Sequence, residues 1–384
     1  MKTQNDVFRE RGVRFVGLLA VALLAALPLT RTAAAQEEDA GVASKTGDIE
    51  DRQRFGERLE ITEVLLDVLV TDKDGNPVAG LDVGDFVVEE EGTEVELTGA
   101  DFYTTRYGAA GAGIEGEIPA SRYFVFFFHD QRLIADGNNQ LLRQQLDAAR
   151  ESREWIEKEM KPSDWIAVTG YDVKLKVFQD FTQDREALLS AISDAARGRD
   201  PEKGRWTREP AAADGPSLLR ELPTGRELRR ETRKIYDGLT LLAEAMGNIV
   251  GRKTLLLLSI GFGEFDGLSP FARADQRYYP DLEEALNDNN VAVYPIDLTP
   301  QFLDHGQSGF LNQIANDTGG YYYKNFVSFL TPLREIADEN VGYYLLSYRS
   351  KHPEGKQGYQ KIKVKTRSPQ LVVRAPRGYR FGAG

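Results

Sequence analysis

The residues able to do chemistry are few and scattered. Asp304, His305 and Ser308 lie close together in Asp304-His305-Gly306-Gln307-Ser308-Gly309. A Ser-His-Asp triad is a matter of converging geometry, not of proximity in sequence. The nucleophile-elbow pattern G-x-S-x-G is also absent, because Gly309 follows directly on Ser308. There are three histidines, His129, His305 and His352, too far apart in sequence for their spacing to favour a shared metal. There is no cysteine, which excludes disulfides, thiolate zinc sites and cysteine nucleophiles together. Asp72, Asp74 and Asn76 have the spacing of a calcium loop. An EF-hand would need Gly where Pro77 stands and Glu where Val83 stands, so the segment reads as a turn. No phosphate-binding loop of the form G-x-x-x-x-G-K-[ST] occurs, and no cofactor is implied. Asp130 and Asp172 are carboxylates close to strand ends. Asp172 reads as a turn residue, and the adjacent His129 as a packing or loop histidine.

Composition bounds the rest. The chain has 384 residues, 41% of them hydrophobic and 28% charged, which is enough to bury a core and to form one large or two smaller domains. The formal net charge is −12, and no clustered basic surface is read in the sequence, so a nucleic-acid partner is not expected. The N-terminus has the pattern of a Sec-type signal peptide over residues 1–35. Lys2, Arg9, Arg11 and Arg14 precede an apolar run at 15–29, and Ala33-Ala34-Ala35 stands before Gln36. The apolar run is shorter than the ~20 residues that span a bilayer, so a cleaved, secreted or periplasmic chain without membrane insertion is expected. Residues 36–58 read as a polar, flexible lead-in.

The elements that must position any site change character along the chain. Residues 61–103 are β-type: Val64, Leu66, Val68 and Val70 alternate on one face, Asp74-Gly75 and Glu91-Gly92 make turns, and further strands begin at Phe86 and Val95. From Arg122 onward, strands alternate with helices. The apolar runs at 123–128, 165–171, 254–258 and 291–296 read as buried strands, and 321–323 as another. A short strand at 174–178 follows 165–171 too closely for anything but an antiparallel hairpin. Helices are expected from Leu142 to Met160 with Leu146 inward, then at 184–195, 227–248, 282–287, 311–316 and 326–339. Residues 197–224 read as a long surface loop. Strands return at 343–348, 361–365 and 371–374. The N-terminal β segment is too short to close alone, so it is expected to pair with the C-terminal one.

In this setting several phrases carry a resemblance. Asp130 closes a strand, a hairpin follows, Gly251-Arg252-Lys253 leads into a Leu-rich strand, and Val291-Ala292-Val293-Tyr294-Pro295-Ile296-Asp297 comes next. This order resembles a von Willebrand factor A (VWA) domain. Asp72-Lys73-Asp74-Gly75-Asn76-Pro77-Val78, Thr318-Gly319-Gly320, Tyr343-Tyr344-Leu345-Leu346-Ser347-Tyr348 and Arg377-Gly378-Tyr379 are similar to recurring phrases of the acidobacterial VWFA-related family, over about residues 60–380.

The resemblance implies an open, mostly parallel, doubly wound α/β sheet inserted in or packed on a small β-sandwich. The VWA-like layer is expected at 120–340, with sandwich segments at 59–103 and 341–380. Many such domains hold a divalent cation with D-x-S-x-S after the first strand, a later Thr and an Asp after the fourth strand. Here only Asp130 matches. Arg132 and Ile134 stand where the serines would be, and Ile260 where the carboxylate would be. Two readings of Arg132 stand: its guanidinium beside Asp130 in the cation's place, or a side chain in solvent. Asp172, Thr232 or a carboxylate of the 197–224 loop are the residues left to rebuild a variant site. The expected function is that of an exported, non-catalytic binding or scaffold protein with a degenerate metal site and a protein partner in the envelope or outside the cell. The alternative is an extracytoplasmic, hydrolase-like enzyme with an unrecognised rim site.

Overall fold

A computed structural model describes residues 59–104, 121–131, 139–199, 201, 215–265, 272–300, 305–353 and 356–382. The expected signal peptide and lead-in, Arg132, Ile134, Asp304 and the middle of the 197–224 loop lie outside the described residues. Among the described residues no helix is long and apolar enough to cross a membrane.

The first run is all strand: β1 (Leu59–Thr71), β2 (Phe86–Glu90), β3 (Thr93–Val95) and β4 (Leu97–Thr104). The middle alternates: β5 (Arg122–His129), α1 (Asn139–Lys158), β6 (Asp164–Tyr171), β7 (Leu175–Thr182), α2 (Arg185–Ala196), α3 (Gly225–Glu231), α4 (Ile235–Ala245), β8 (Lys253–Ser259), α5 (Tyr279–Asp288), β9 (Val291–Asp297), α6 (Ser308–Asp317) and α7 (Leu330–Glu339). The last run is strand again: β10 (Gly342–Pro353), β11 (Gly358–Thr366), β12 (Val372–Arg374) and β13 (Gly378–Phe381).

The middle forms one five-stranded sheet in the order β7-β6-β5-β8-β9. All its pairings are parallel except β6 with β7, which is the hairpin read from the short connection. β5 shows why its sequence is a continuous apolar run. Tyr123, Val125 and Phe127 enter the core shared with α4, α5 and α6, whereas Phe124, Phe126 and Phe128 enter the core shared with α1, α2 and α7. A strand covered on both faces has no polar side, and each buried Phe stabilises the fold by about 1.5–3 kcal/mol. The fold class is therefore α/β, with helices on both faces of a mostly parallel sheet. At the amino end of β5, Arg122 clasps Asp164 with Nε–Oδ1 2.7 Å and Nη2–Oδ2 2.8 Å, and its Nη1 donates to the Ala337 carbonyl at 2.6 Å. This buried bidentate pair fastens β5, β6 and α7 at one point.

The terminal runs pair with each other. β1 lies antiparallel to β10 from Leu59↔Pro353 to Val68↔Tyr344, and β2 lies antiparallel to β11. The result is two four-stranded sheets, ordered β12-β1-β10-β4 and β13-β11-β2-β3. One apolar cluster joins them, formed by Val64, Leu66, Val68 and Val70 of β1, Phe86 and Val88 of β2, Tyr344, Leu346 and Tyr348 of β10 and Ile362 of β11. The alternation in β1 arises here: Val64, Leu66, Val68 and Val70 point into this cluster, while Leu65 on the other face is exposed.

Four sequence expectations need correction. The helix expected over 227–248 is two helices: Thr232 leaves the helical conformation at φ −113°, ψ 42°, and the chain restarts at Ile235. Leu146 is exposed; Leu141, Ala148 and Ala149 hold the inward stripe of α1 instead. Residues 321–323 form no strand, only a parallel bridge between Tyr323 and Ile296. Not all of 197–224 is surface loop. Leu218 and Leu222 are buried, and Asp180 clamps the segment by accepting Ser217 Oγ at 2.6 Å and Leu218 N at 2.7 Å.

Candidate functional site

The carboxyl ends of parallel strands are where open α/β sheets bind ligands, because chain reversals leave a crevice there. In this chain β5, β6, β8 and β9 end at that rim, and each delivers at least one candidate group.

β5 delivers His129, Asp130 and Gln131, and β8 delivers Ser259 and Ile260. His129 Nδ1 lies 2.8 Å from Ser259 Oγ. Gly261 N–H donates to the same Ser259 oxygen at 2.8 Å. Gln131 accepts the Ile260 N–H at 3.0 Å and donates from Nε2 to the Gly261 carbonyl at 2.8 Å. His129 is fully enclosed, edge-on to Tyr171 and Phe262. Burial pushes its pKa down to about 3, against an opposing pull from the Asp130 charge, so the ring is neutral at pH 7. The polar atoms between β5 and β8 therefore serve one another. Among the described residues no three His, Cys, Asp or Glu side chains are grouped to hold a metal. A hard cation needs about six oxygens with several from the protein, and among the described residues the polar groups here are already bonded to one another.

Both named substitutes are engaged with other partners. Asp172 follows β6 and caps its own turn, accepting Val173 N–H at 2.6 Å and pairing with Lys176 Nζ at 2.7 Å. Burial is the largest single influence and would raise the Asp172 pKa, but the Lys176 pairing and the Val173 and Lys174 N–H bonds together outweigh it and hold the carboxyl below its ordinary range. Thr232 is wholly buried. Its hydroxyl donates to the Leu228 carbonyl at 2.7 Å and accepts the Leu175 N–H at 3.0 Å, so it joins the end of α3 to the start of β7.

β9 delivers a group that the sequence reading missed. Asp297 is buried, and its Oδ2 accepts from His305 Nε2 at 2.8 Å and from the Tyr322 hydroxyl at 2.5 Å, while Oδ1 accepts Thr299 N–H at 2.8 Å. Burial alone would raise the Asp297 pKa, but the His305 and Tyr322 bonds prevail and keep it low. A cleft of about 210 Å³ opens beside it, lined by Gln144, Asp297, Thr299, Asn325, Phe326, Val327 and Phe329. His305 and Ser308, close in sequence, do not form a nucleophile–base pair. His305 is held by Asp297, and Ser308 Oγ donates to the His305 carbonyl at 3.0 Å, not to the ring.

No family model and no curated protein sequence matches the chain. Among solved structures it is similar to proximal thread matrix protein 1 from the mussel byssus, at 17% identity over 57% of this chain and 48% of that one, with a TM-score of 0.34. The matched region thus spans about half the length of the mussel protein. It is similar to a conserved hypothetical protein, BatB, from Bacteroides thetaiotaomicron, at 13% identity over 56% of this chain and 98% of that one, with a TM-score of 0.33. It is also similar to the vWF domain of the type V pili tip protein Mfa5 from Porphyromonas gingivalis, at 20% identity over 37% of this chain and 38% of that one, with a TM-score of 0.23.

One further feature of the rim corrects the reading that the chain lacks a clustered basic surface. Arg226, Arg229, Arg230, Arg233 and Lys234 are all exposed, on α3 and the link into α4. Lys234 sits over the Tyr278 ring, with Nζ 3.5 Å from its centroid.

Proposed function

We propose that this chain is an exported, non-catalytic binding or scaffold protein. In this reading a VWA-like α/β layer is inserted in a small β-sandwich and meets a protein partner with the carboxyl rim of its sheet. The metal site is degenerate. The observation that carries this reading is the closed network of His129, Gln131 and Ser259, which occupies the space between the ends of β5 and β8 with mutually satisfied groups. Ile260 adds an apolar side chain where a ligand oxygen would be needed. Export rests on the basic stretch, apolar run and Ala33-Ala34-Ala35 of the N-terminus, with a mature chain starting near Gln36.

The test is thermodynamic. A ligand that binds the native state must stabilise it. Millimolar Mg²⁺ or Ca²⁺ should leave the Tm unchanged, and EDTA should leave partner binding unchanged. Calorimetric binding of either ion at micromolar affinity, lost in Asp130→Ala, would show a rebuilt site and end this reading.

One observation favours the enzymatic alternative. His305 is part-exposed and oriented by a buried carboxylate, the relation that prepares a general base. Turnover of an ester, peptide or glycoside substrate that disappears in His305→Gln would decide for it.

A further inference from the structure

We infer that the arginine stripe of α3 is a docking surface for an acidic segment of a partner polypeptide. The inference rests on the proposed rim-binding reading and names the chemistry of what the rim would bind.

The stripe follows from helical spacing. Arg226, Arg229 and Arg230 stand at i, i+3 and i+4 of α3, so they project on one side of it, and Arg233 follows just past its end, exposed as well. Leu228 and Thr232, four residues apart, take the opposite side and are wholly buried. The burial of one side thus forces the arginines outward. Arg230 pairs with Glu231 at 3.1 Å and more loosely with Glu227 at 3.7 Å. Arg226, Arg229 and Arg233 make no ion pair with the described residues. Guanidiniums side by side repel one another. Among the described residues only Glu227 and Glu231 stand against the stripe, which leaves a positive strip on a chain of net charge −12.

The strip lies at the rim. Thr232 bonds the first residue of β7, next to the Asp172 turn. Tyr236, two residues beyond Lys234, packs edge-on to Phe262 just after β8, and Phe262 packs on His129. Val173 in the β6–β7 turn and Phe265 after β8 are exposed large apolar side chains on the same rim. Cations beside apolar anchors suit a peptide with carboxylates and side chains to bury. Glu227 and Glu231 on the flank of the stripe, and the −12 net charge, disfavour a long uniform polyanion such as nucleic acid, which needs a continuous basic surface.

The experiment uses the full chain and a fluorescein-labelled glutamate-rich peptide, read by anisotropy. Three proteins are compared: wild type, Arg226→Glu/Arg229→Glu/Arg233→Glu, and a control with the same charge change on the β-sheets, Arg349→Glu/Lys351→Glu/Lys363→Glu. All six positions are exposed, so folding should survive, and circular dichroism checks it. The expected result is salt-sensitive, EDTA-insensitive peptide binding that weakens at least tenfold in the stripe variant and less than threefold in the control. No peptide binding by wild type overturns the proposal. Equal weakening in the two variants overturns it too, since net charge then explains everything. Tighter binding of a single-stranded DNA of equal charge overturns it in favour of a different occupant. EDTA-insensitive binding unchanged in the stripe variant overturns the stripe alone. Binding that requires Mg²⁺ and is lost in Asp130→Ala overturns both the stripe and the metal-free rim.

Discussion

Gly320→Ala should cost more than about 4 kcal/mol and leave little folded protein. The reason is local and steric. A Cβ on Gly320 would lie 1.8 Å from the Val293 carbonyl oxygen and 2.7 Å from its carbon. Both are backbone atoms of the last strand of the sheet, so no rotamer change relieves the overlap; β9 or the 318–320 turn must move. The turn is held from several sides. Thr318 Oγ1 accepts Val293 N–H at 3.0 Å and donates to the Ile314 carbonyl at 2.8 Å. Gly319 takes φ +72° and approaches Ala375 so closely that a side chain there would meet backbone at 2.8 Å. Next to it Arg377 N donates to the Asp317 carbonyl at 3.1 Å, and Arg377 Nη1 to the Asp317 carboxylate at 2.8 Å. The Thr318-Gly319-Gly320 phrase therefore joins α6, β9 and the C-terminal β segment. Gly92→Ala is the comparison. It has φ +80° but nothing within 4 Å, so it should cost only the ~1–2 kcal/mol of a left-handed alanine. Urea unfolding of the two variants checks this; a Gly320→Ala midpoint equal to that of wild type would refute the steric account.

The same turn illustrates what the sequence makes legible. Strands covered on both faces are readable, because burial demands apolar side chains at every position. β5 and β9 are examples, with Tyr123 to Phe128 and Val291 to Ile296 buried throughout. The hairpin of β6 and β7 is readable from loop length alone. The break between α3 and α4 is not, since Glu231-Thr232-Arg233-Lys234 contains neither Gly nor Pro. At the break stands Thr232, whose hydroxyl partners, Leu228 and Leu175, lie on two other elements. Departure from the metal pattern that the resemblance implies is legible at Ile260, but the hydrogen-bond network between β5 and β8 is not, because Ser259 meets its partners across 130 residues from His129. Asp297 was missed for a similar reason. His305 and Tyr322 reach it from 8 and 25 residues away, and each alone looks like a loop residue. The arginine stripe, in contrast, was in the sequence at helical spacing. The overall charge of −12 hid it, because a net value says nothing about where the charges stand.

Acid should destabilise this protein through His129 more steeply than through any surface histidine. The folded pKa is depressed to about 3, chiefly by burial, while the unfolded chain titrates near 6.5. With the folded value below the unfolded one, the unfolded chain binds the extra proton as pH falls. The stabilisation is therefore complete above about pH 6.5 and is lost progressively down to about pH 3. One pKa unit corresponds to about 1.4 kcal/mol, so the gap sets a ceiling of roughly 5 kcal/mol, and a loss on the order of 2–4 kcal/mol is a sound expectation for a site that can relax. Carboxylates titrate in the same range, so the histidine must be isolated by difference. His129→Asn keeps an amide able to bond Ser259 but cannot take up a proton. The stability gap between wild type and His129→Asn should be widest at pH 7 and should narrow, or change sign, by pH 4. Proton binding at His129 would also place a charge in this enclosure, directly beside the Ser259 oxygen on which the Gly261 N–H depends. The rim between β5 and β8 should therefore open before the rest of the sheet, seen as hydrogen exchange at Ile260 and Gly261 that rises with acid in wild type and stays flat in His129→Asn. A stability gap independent of pH between 7 and 4 would mean that His129 is not held neutral by its enclosure, and that the polar plug at the head of the sheet is looser than its hydrogen bonds imply.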